Sequence, residues 1–528
     1  MIAAKGSGFD VILVSGEPYA DHPLSGVGVI ARVLDSEGLK VGVIERPDWK
    51  RDEDFRKLGV PRLFFGLTAG SIDSLLVNYT PLKRARAKDE YAAYASGMPD
   101  RAVLVYANRV RKLFPGVPVV LGGIEASLRR FAHYDYWENK VRRGILLDSR
   151  ADILVYGPGE IQAVEIARRL AAGEPLAGIP GTSVVAREMP PDFVEIPSYE
   201  DVAADPEAFC RAQNAFSNRK SLAQGHDRRY VLQYPMPEYA PADLDRIYAL
   251  PFSRRIPAHF PELKMAQFSV VTHRGCLGRC SFCSLALHQG DRIVSRSEAS
   301  ILDEIRRLTG HPDFKGYIDD LGGPSANMYG MDCPARERCG KNCLDCKRLE
   351  RGHGRLIRLM RKARAVPGVK KVFVRSGIRY DLAMDSEDYV RELCEHHVSG
   401  LLKIAPEHVS PEVLRRMNKE TRPLDEFRAM FKRINAGRGQ HLKSYFMVAH
   451  PGSGEKEARE LAREIRRLER DGEKPVEGVQ IFTPTPMTVS TCMYHTGIDP
   501  RNGDKVHVPR TFAEKKEQKR LVAAASRE

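Results

Sequence analysis

QFSVVTHRGCLGRCSFCSLALHQG, residues 267–290, joins a short apolar run to three cysteines at C-x3-C-x2-C spacing: Cys276, Cys280 and Cys283. The run AQFSVVTH (266–273) reads as a β-strand, and a helical pattern follows over 297–309. The same alternation then repeats. KGYIDD (315–320) precedes a cysteine-rich insert and a helix over 353–364, and KKVFVRS (370–376) precedes a helix over 386–397. GLLKIA (400–405) leads to a helix over 410–418, HLKSYFMVAH (441–450) to one over 455–470, and VEGVQIF (476–482) is a sixth strand. Six such steps predict an α/β fold with an incomplete, TIM-like (β/α)6 barrel. Ligands of such barrels sit on the loops after the strands' C-terminal ends. The three cysteines lie on the first of those loops, an address suited to catalysis.

Upstream, DVILV (10–14) and KVGVIE (40–45) flank SGVGVIARVLDSEG (25–38), whose apolar residues recur at helical spacing before a glycine. PRLFFGL, VPVVLGG and ADILVYGPGE continue the alternation, the last leading into a helix over 159–172. Strand–helix–strand repetition predicts a doubly wound domain with a parallel sheet covered on both faces. Residues 175–260 are proline-rich and less regular, too long for a structureless loop. The expected division is a sheet domain over 1–175, a linking and packing segment over 176–262, the barrel over 263–485 with its insert over 324–350, and a C-terminal extension over 486–528.

At 42% apolar and 29% charged residues, the chain of 528 has ordinary core-forming composition. No stretch approaches the roughly 18 apolar residues of a membrane helix. The N-terminus has no secretory apolar core or cleavage site, so the expected location is cytoplasmic, with no membrane partner. Clustered thiols in that compartment point to metal or redox chemistry rather than disulfides. The net charge of +14 suits either an RNA partner or an Arg-rich solvated surface.

Three thiolates do not complete a closed four-ligand zinc site, although His273 and His288 are nearby in sequence. Held on a four-iron cluster, they leave one iron open to a ligand. CPARERCGKNCLDC places four more, Cys333, Cys339, Cys343 and Cys346, within fourteen residues of the insert. Four is a complete set for a second iron–sulfur cluster or for structural zinc. DDLGGPSANMYG carries Gly322 and Gly323, which read locally as a Gly-Gly-Pro turn.

The C-x3-C-x2-C spacing, with Phe282 before the last cysteine, resembles the signature of radical S-adenosylmethionine enzymes. Across nearly the whole chain the match is most like the YgiQ family of these proteins, on PLSGVGVIARVLDSEG, LGGIEASLRRFAHYDYWENKVRRGILLDSRADILVYGPGE, QFSVVTHRGCLGRCSFCSLALHQG, GLLKIAPEHVSPEVLRRMNK and VQIFTPTPMTVSTCMYHTG. The resemblance implies a [4Fe-4S] cluster on Cys276, Cys280 and Cys283, with S-adenosylmethionine on its open iron. Reductive cleavage would then give methionine and a 5′-deoxyadenosyl radical, the electron coming from a donor such as flavodoxin or ferredoxin. Phe282 counts among the implied cofactor-binding residues. Gly322 and Gly323 match a Gly-Gly-Glu motif whose backbone contacts the methionine amino group, with Pro324 in place of the glutamate. Glu407 is implied as a ribose contact, or else it caps or pairs at a helix end.

The first domain resembles cobalamin-binding domains. Their Asp-x-His-x-x-Gly motif is not met, because Asp21 and His22 are adjacent. Cobalamin is therefore not expected. The substrate stays open. The rival readings are methylthiolation of RNA or protein, and a non-catalytic iron–sulfur or zinc module.

Overall fold

Runs such as VILVS and VGVIE can be apolar without alternation because helices cover both faces of a parallel sheet. In the computed structural model, which describes residues 2–3, 5–86, 97–333, 335, 339, 342–419, 422–472 and 479–525, Val11–Ser15 is buried along its whole length. The chain divides into two compact units.

The first unit comprises Met1–Glu238, Leu250–Lys264 and Pro484–Asp504. The strands of its main sheet are β1 (Ile2–Ala3), β2 (Val11–Ser15), β3 (Val41–Glu45), β4 (Phe64–Thr68), β5 (Val119–Leu121), β6 (Ile153–Val155), β7 (Thr182–Ala186), β8 (Val194–Ile196), β9 (Leu222–His226) and β10 (Arg229–Gln233). They form one sheet in the order β1-β3-β2-β4-β5-β6-β7-β10-β9-β8. The stretch β3-β2-β4-β5-β6 is parallel. The helix Gly26–Ser36, capped by Ser25, follows β2, and Glu160–Ala172 follows β6.

The segment expected to link the domains, 176–262, differs from that expectation: β7 to β10 extend the sheet, β7 antiparallel to β6 and β10 antiparallel to β7 and β9. The reason is chemical. Buried glutamines on these strands hydrogen-bond loop backbone instead of adding apolar surface. Gln224 Oε1 accepts from the Ala132 amide at 2.7 Å, and Gln233 Nε2 donates to the Ser217 carbonyl at 2.8 Å. The expected C-terminal extension is also not one body. Helix Val489–Thr496 belongs to the first unit and helix Phe512–Ala525 to the second.

The second unit comprises Tyr239–Ala249, Met265–Thr483 and Lys505–Glu528. Its barrel strands are β11 (Ser269–Val271), β12 (Tyr317–Ile318), β13 (Asp320–Gly322), β14 (Lys371–Val372), β15 (Leu401–Glu407), β16 (His441–Val448) and β17 (Gln480–Ile481). Parallel pairing runs in chain order. β11 pairs with β13, β12 with β14, β15 with β16 and β16 with β17, while an Ile378–Ile404 bridge joins the third and fourth steps. Residues 476–478 of the expected sixth strand lie outside the described residues.

Alternate residues of β15 and β16 are buried. Leu402, Ile404 and Leu442 pack with helix residues Leu393, Phe427 and Phe431 in one core. Helix Glu455–Arg470 buries Ala458, Leu461, Ala462, Ile465 and Leu468, the stripe expected of an amphipathic helix on a sheet. Among the described residues, no helix is long and apolar enough to cross a membrane.

Candidate metal centre

The loop after β11 is closed at its neck. His273 and Arg274 pair antiparallel with Ser295 and Val294. The Thr272 amide donates to the Gly322 carbonyl at 2.8 Å, which ties the start of the loop to β13. Gly275 has φ +86°, and a Cβ on it would lie 1.8 Å from the Arg292 carbonyl oxygen, so only glycine fits there. Next, the Cys276 amide donates to the Gly290 carbonyl at 3.1 Å.

The far side of the loop is anchored to the turn after helix Pro411–Arg416. The Ser281 amide donates to the Met417 carbonyl at 2.8 Å, and Asn418 Nδ2 donates to the Arg279 carbonyl at 2.9 Å. Arg279, at φ 44°, pairs with Asp291. The loop is thus held by the first and fourth βα connections.

Burial pushes the Cys276 thiol up, against hydrogen bonds from the Gly278 backbone and the Ser325 side chain. Burial likewise pushes Cys283 up to about 12. Buried thiolates need a bound cationic group to persist. Gly278 leaves a hollow between two of them. A Cβ there would meet Cys276 Sγ at 3.4 Å, Cys280 Sγ at 3.6 Å and Arg379 Nη1 at 2.8 Å. The donor set and the hollow fit an iron–sulfur cluster. Among the described residues no three His, Cys, Asp or Glu side chains converge on a single ion. Thiolates that each hold a separate iron do not need to.

Phe282 meets His450 edge-to-face at 6.3 Å, and His450 meets Phe482 at 5.1 Å. His450 follows β16, and the turn before it is keyed by the C-terminal helix. Gln518 Oε1 accepts from the Ala449 amide at 2.9 Å and from Ser453 Oγ at 3.0 Å. Gly322 ends β13. Gly323 lies against the His273 ring, where a Cβ would come within 2.5 Å of Cε1. His273 Nδ1 shares a hydrogen bond with Thr272 Oγ1 at 2.9 Å, and burial pulls its pKa down to about 4. His288 lies on the short helix Leu285–Gln289 of the same loop.

Glu407, at the end of β15 with φ 69°, accepts from Lys419 Nζ at 3.0 Å, a pair between a strand end and a turn rather than at a helix end. Three residues that the sequence reading passed over also border the thiols: Ser325, Arg379 and Lys419. Only their neighbourhood in the fold reveals them.

In the insert, burial pushes the Cys343 thiol up, with Arg279 opposing and Cys333, Asp291 and Cys339 reinforcing the shift. Cys343 and Cys276 pack against the same small cluster of Leu277, Ile293 and Met328. The insert thus meets the loop of the first three cysteines. Cys346 follows the turn Cys343–Asp345.

Three family models match the chain: radical SAM N-terminal over 1–273, the radical SAM superfamily over 270–465, and a domain of unknown function, DUF3362, over 477–525. A UPF0313 protein of Methanosarcina acetivorans is 44% identical, covering 97% of this chain and 76% of that protein. One from Methanocaldococcus jannaschii is 44% identical, covering 97% and 89%. Among solved structures, the radical S-adenosylmethionine methyltransferase TsrM from Kitasatospora setae, with cobalamin and a [4Fe-4S] cluster bound, matches with TM-score 0.56 at 19% identity, covering 97% of this chain and 84% of that one. The same enzyme with tryptophan substrate and a SAM analogue bound matches with TM-score 0.53 at 19% identity, covering 92% and 76%. At that identity the likeness is one of fold.

Proposed function

We propose, from the premise that the chain belongs to the UPF0313 (YgiQ) family and is a radical SAM enzyme, that Cys276, Cys280 and Cys283 hold a [4Fe-4S] cluster at which S-adenosylmethionine is cleaved. When bound, cluster and S-adenosylmethionine supply reductive opening of the sulfonium and a 5′-deoxyadenosyl radical. The observation that carries this reading is the half-buried three-thiol loop, anchored at both sides, with its hollow at Gly278.

The chain's own residues serve that chemistry by position. The neck at Gly275 and the Met417–Asn418 anchor hold the thiols in place. Phe282 and His450 close one side with apolar surface, limiting water. Gly323 offers backbone for the methionine amino group, whereas the Gly322 carbonyl already accepts from the Thr272 amide and hydroxyl, at 2.8 and 3.2 Å. Glu407 is the candidate ribose contact, and its bond to Lys419 Nζ at 3.0 Å orients its carboxylate. A low-potential carrier such as flavodoxin or ferredoxin is the expected electron donor. Among the described residues, no contact at the site favours either rival, methylthiolation or a non-catalytic module.

The test is anaerobic reconstitution with iron and sulfide, followed by dithionite and S-adenosylmethionine. The expected products are 5′-deoxyadenosine and methionine. A protein that loads iron, binds S-adenosylmethionine and forms neither would sink the reading.

The expectation against cobalamin loses its support, because the fold is shared with a structure that has cobalamin bound. His22 remains a poor candidate ligand for cobalt. Its Nε2 meets Arg254 Nη1 at 3.2 Å, and its Nδ1 accepts from the Leu24 amide at 3.1 Å.

For the insert, Cys333, Cys339, Cys343 and Cys346 stay the candidate set for a second metal site, and since among the described residues no three such side chains converge on a single ion, a single zinc would require them to draw together. Metal analysis of the anaerobically purified protein separates its two forms. A second cluster doubles the iron of the first, whereas structural zinc adds one zinc per chain. A protein whose Cys343→Ser variant holds the same metals as wild type has no such site.

A further inference from the structure

Arg379 reaches the thiol loop from about a hundred residues downstream. Its guanidinium is almost completely buried, at 7% exposure. Asp381 grips it from one side, taking Nε at 3.1 Å and Nη2 at 2.7 Å. That leaves Nη1 on the other side. Nη1 and the sulfurs of Cys276 and Cys280 all lie within 4 Å of a single point, the Cβ position of Gly278.

The backbone of Arg379 is fixed as well. Its amide donates to Asn327 Oδ1 at 2.9 Å, and Asn327 Nδ2 donates to its carbonyl at 2.9 Å. Asn327 is itself fully buried, in the turn that follows Gly322 and Gly323. A second buried cation, Lys419, pairs with Glu407 as Arg379 does with Asp381, but Arg379 keeps Nη1 beside the two sulfurs.

We propose that Arg379 is the buried cation that sets the reduction potential of the cluster, acting through Nη1 against the sulfurs of Cys276 and Cys280. This rests on the reading of those cysteines as cluster ligands. Reduction adds one electron, from dithionite or a low-potential carrier, and no bond forms or breaks. The added negative charge lies on half-buried thiols, where water screens it less than in bulk. A fixed positive charge beside it favours the reduced form, and so raises the potential. Arginine suits the position because its fork binds Asp381 with two nitrogens and still presents a third. Asp381 has the opposite effect on the field, since its charge partly cancels that of Arg379.

The experiment is an EPR-monitored redox titration of the reconstituted full-length protein, without S-adenosylmethionine. It compares wild type with Arg379→Gln, Arg379→Lys and Asp381→Asn, after iron content has been measured for each. Arg379→Gln is expected to lower the ratio of reduced to oxidised cluster at least tenfold at a given solution potential, about 59 mV in midpoint for one electron. Arg379→Lys should recover part of that loss, and Asp381→Asn should shift the midpoint upward.

An iron-replete Arg379→Gln protein with the wild-type midpoint overturns the proposal. That result would mean the guanidinium serves only S-adenosylmethionine or the fold. If Arg379→Gln does not load iron, Asp381→Asn decides: an upward shift supports the proposal and an unchanged midpoint overturns it. A wild-type protein with no cluster signal overturns the cluster reading itself, and this proposal with it.

Discussion

Replacing Cys280 with alanine removes the cluster and all 5′-deoxyadenosine formed from S-adenosylmethionine. Two thiolates cannot hold a four-iron cluster in place, and Glu407 beside them is engaged by Lys419. The protein should still fold. Cys280 is only half-buried and lies outside the large hydrophobic cores, where substitutions cost about 0.5 kcal/mol or less. The checks are iron and sulfide content, the visible absorbance of the cluster, and chromatography of the nucleoside product, set beside thermal unfolding. A folded Cys280→Ala protein that keeps its iron and its product would remove Cys280 from the centre.

Gly275→Ala is the second large effect, and it acts through geometry rather than ligation. Residue 275 sits at φ +86°, which costs an L-residue about 1–2 kcal/mol. Its new Cβ would also lie 1.8 Å from the Arg292 carbonyl oxygen, an overlap that backbone must move to relieve. Overpacking of this kind adds about 1–3 kcal/mol. The movement falls between the β-bridge at His273 and the hydrogen bond from the Cys276 amide to Gly290, so it displaces the first thiol. The expected result is a lower unfolding temperature and iron content below half that of wild type under identical reconstitution. Wild-type loading in Gly275→Ala would show that the neck tolerates displacement without disturbing the centre.

Much of the fold was legible where periodicity is strong. Helix Glu455–Arg470 coincides with its expected span because its apolar stripe is unbroken. β2 and β3 lie where their apolar runs put them. β9 and β10 were not legible as strands, because LAQGH and RYVLQ bury glutamines and pair around a tight turn at Asp227, φ 52°. Their other partners, β8 and β7, come earlier in the chain, and composition carries no record of those pairings. The third barrel strand is shorter than read. Only Lys371–Val372 keeps a ladder, while the Arg375 and Ser376 amides turn to Asp320 Oδ1, at 2.7 and 3.1 Å.

The centre divides in the same way. Cys276, Cys280 and Cys283 are legible because metal chemistry requires local spacing, and because the strand before them repeats six times as a unit. Ser325, Arg379 and Lys419 are not legible, since each is an ordinary polar residue until the barrel folds. By itself the sequence determined the parallel-strand architecture and the three-thiol loop, both of which depend on periodicity and spacing within a few residues. Only the tertiary structure decided which charges face those thiols, because burial and Coulomb interaction depend on distances in space between segments a hundred residues apart.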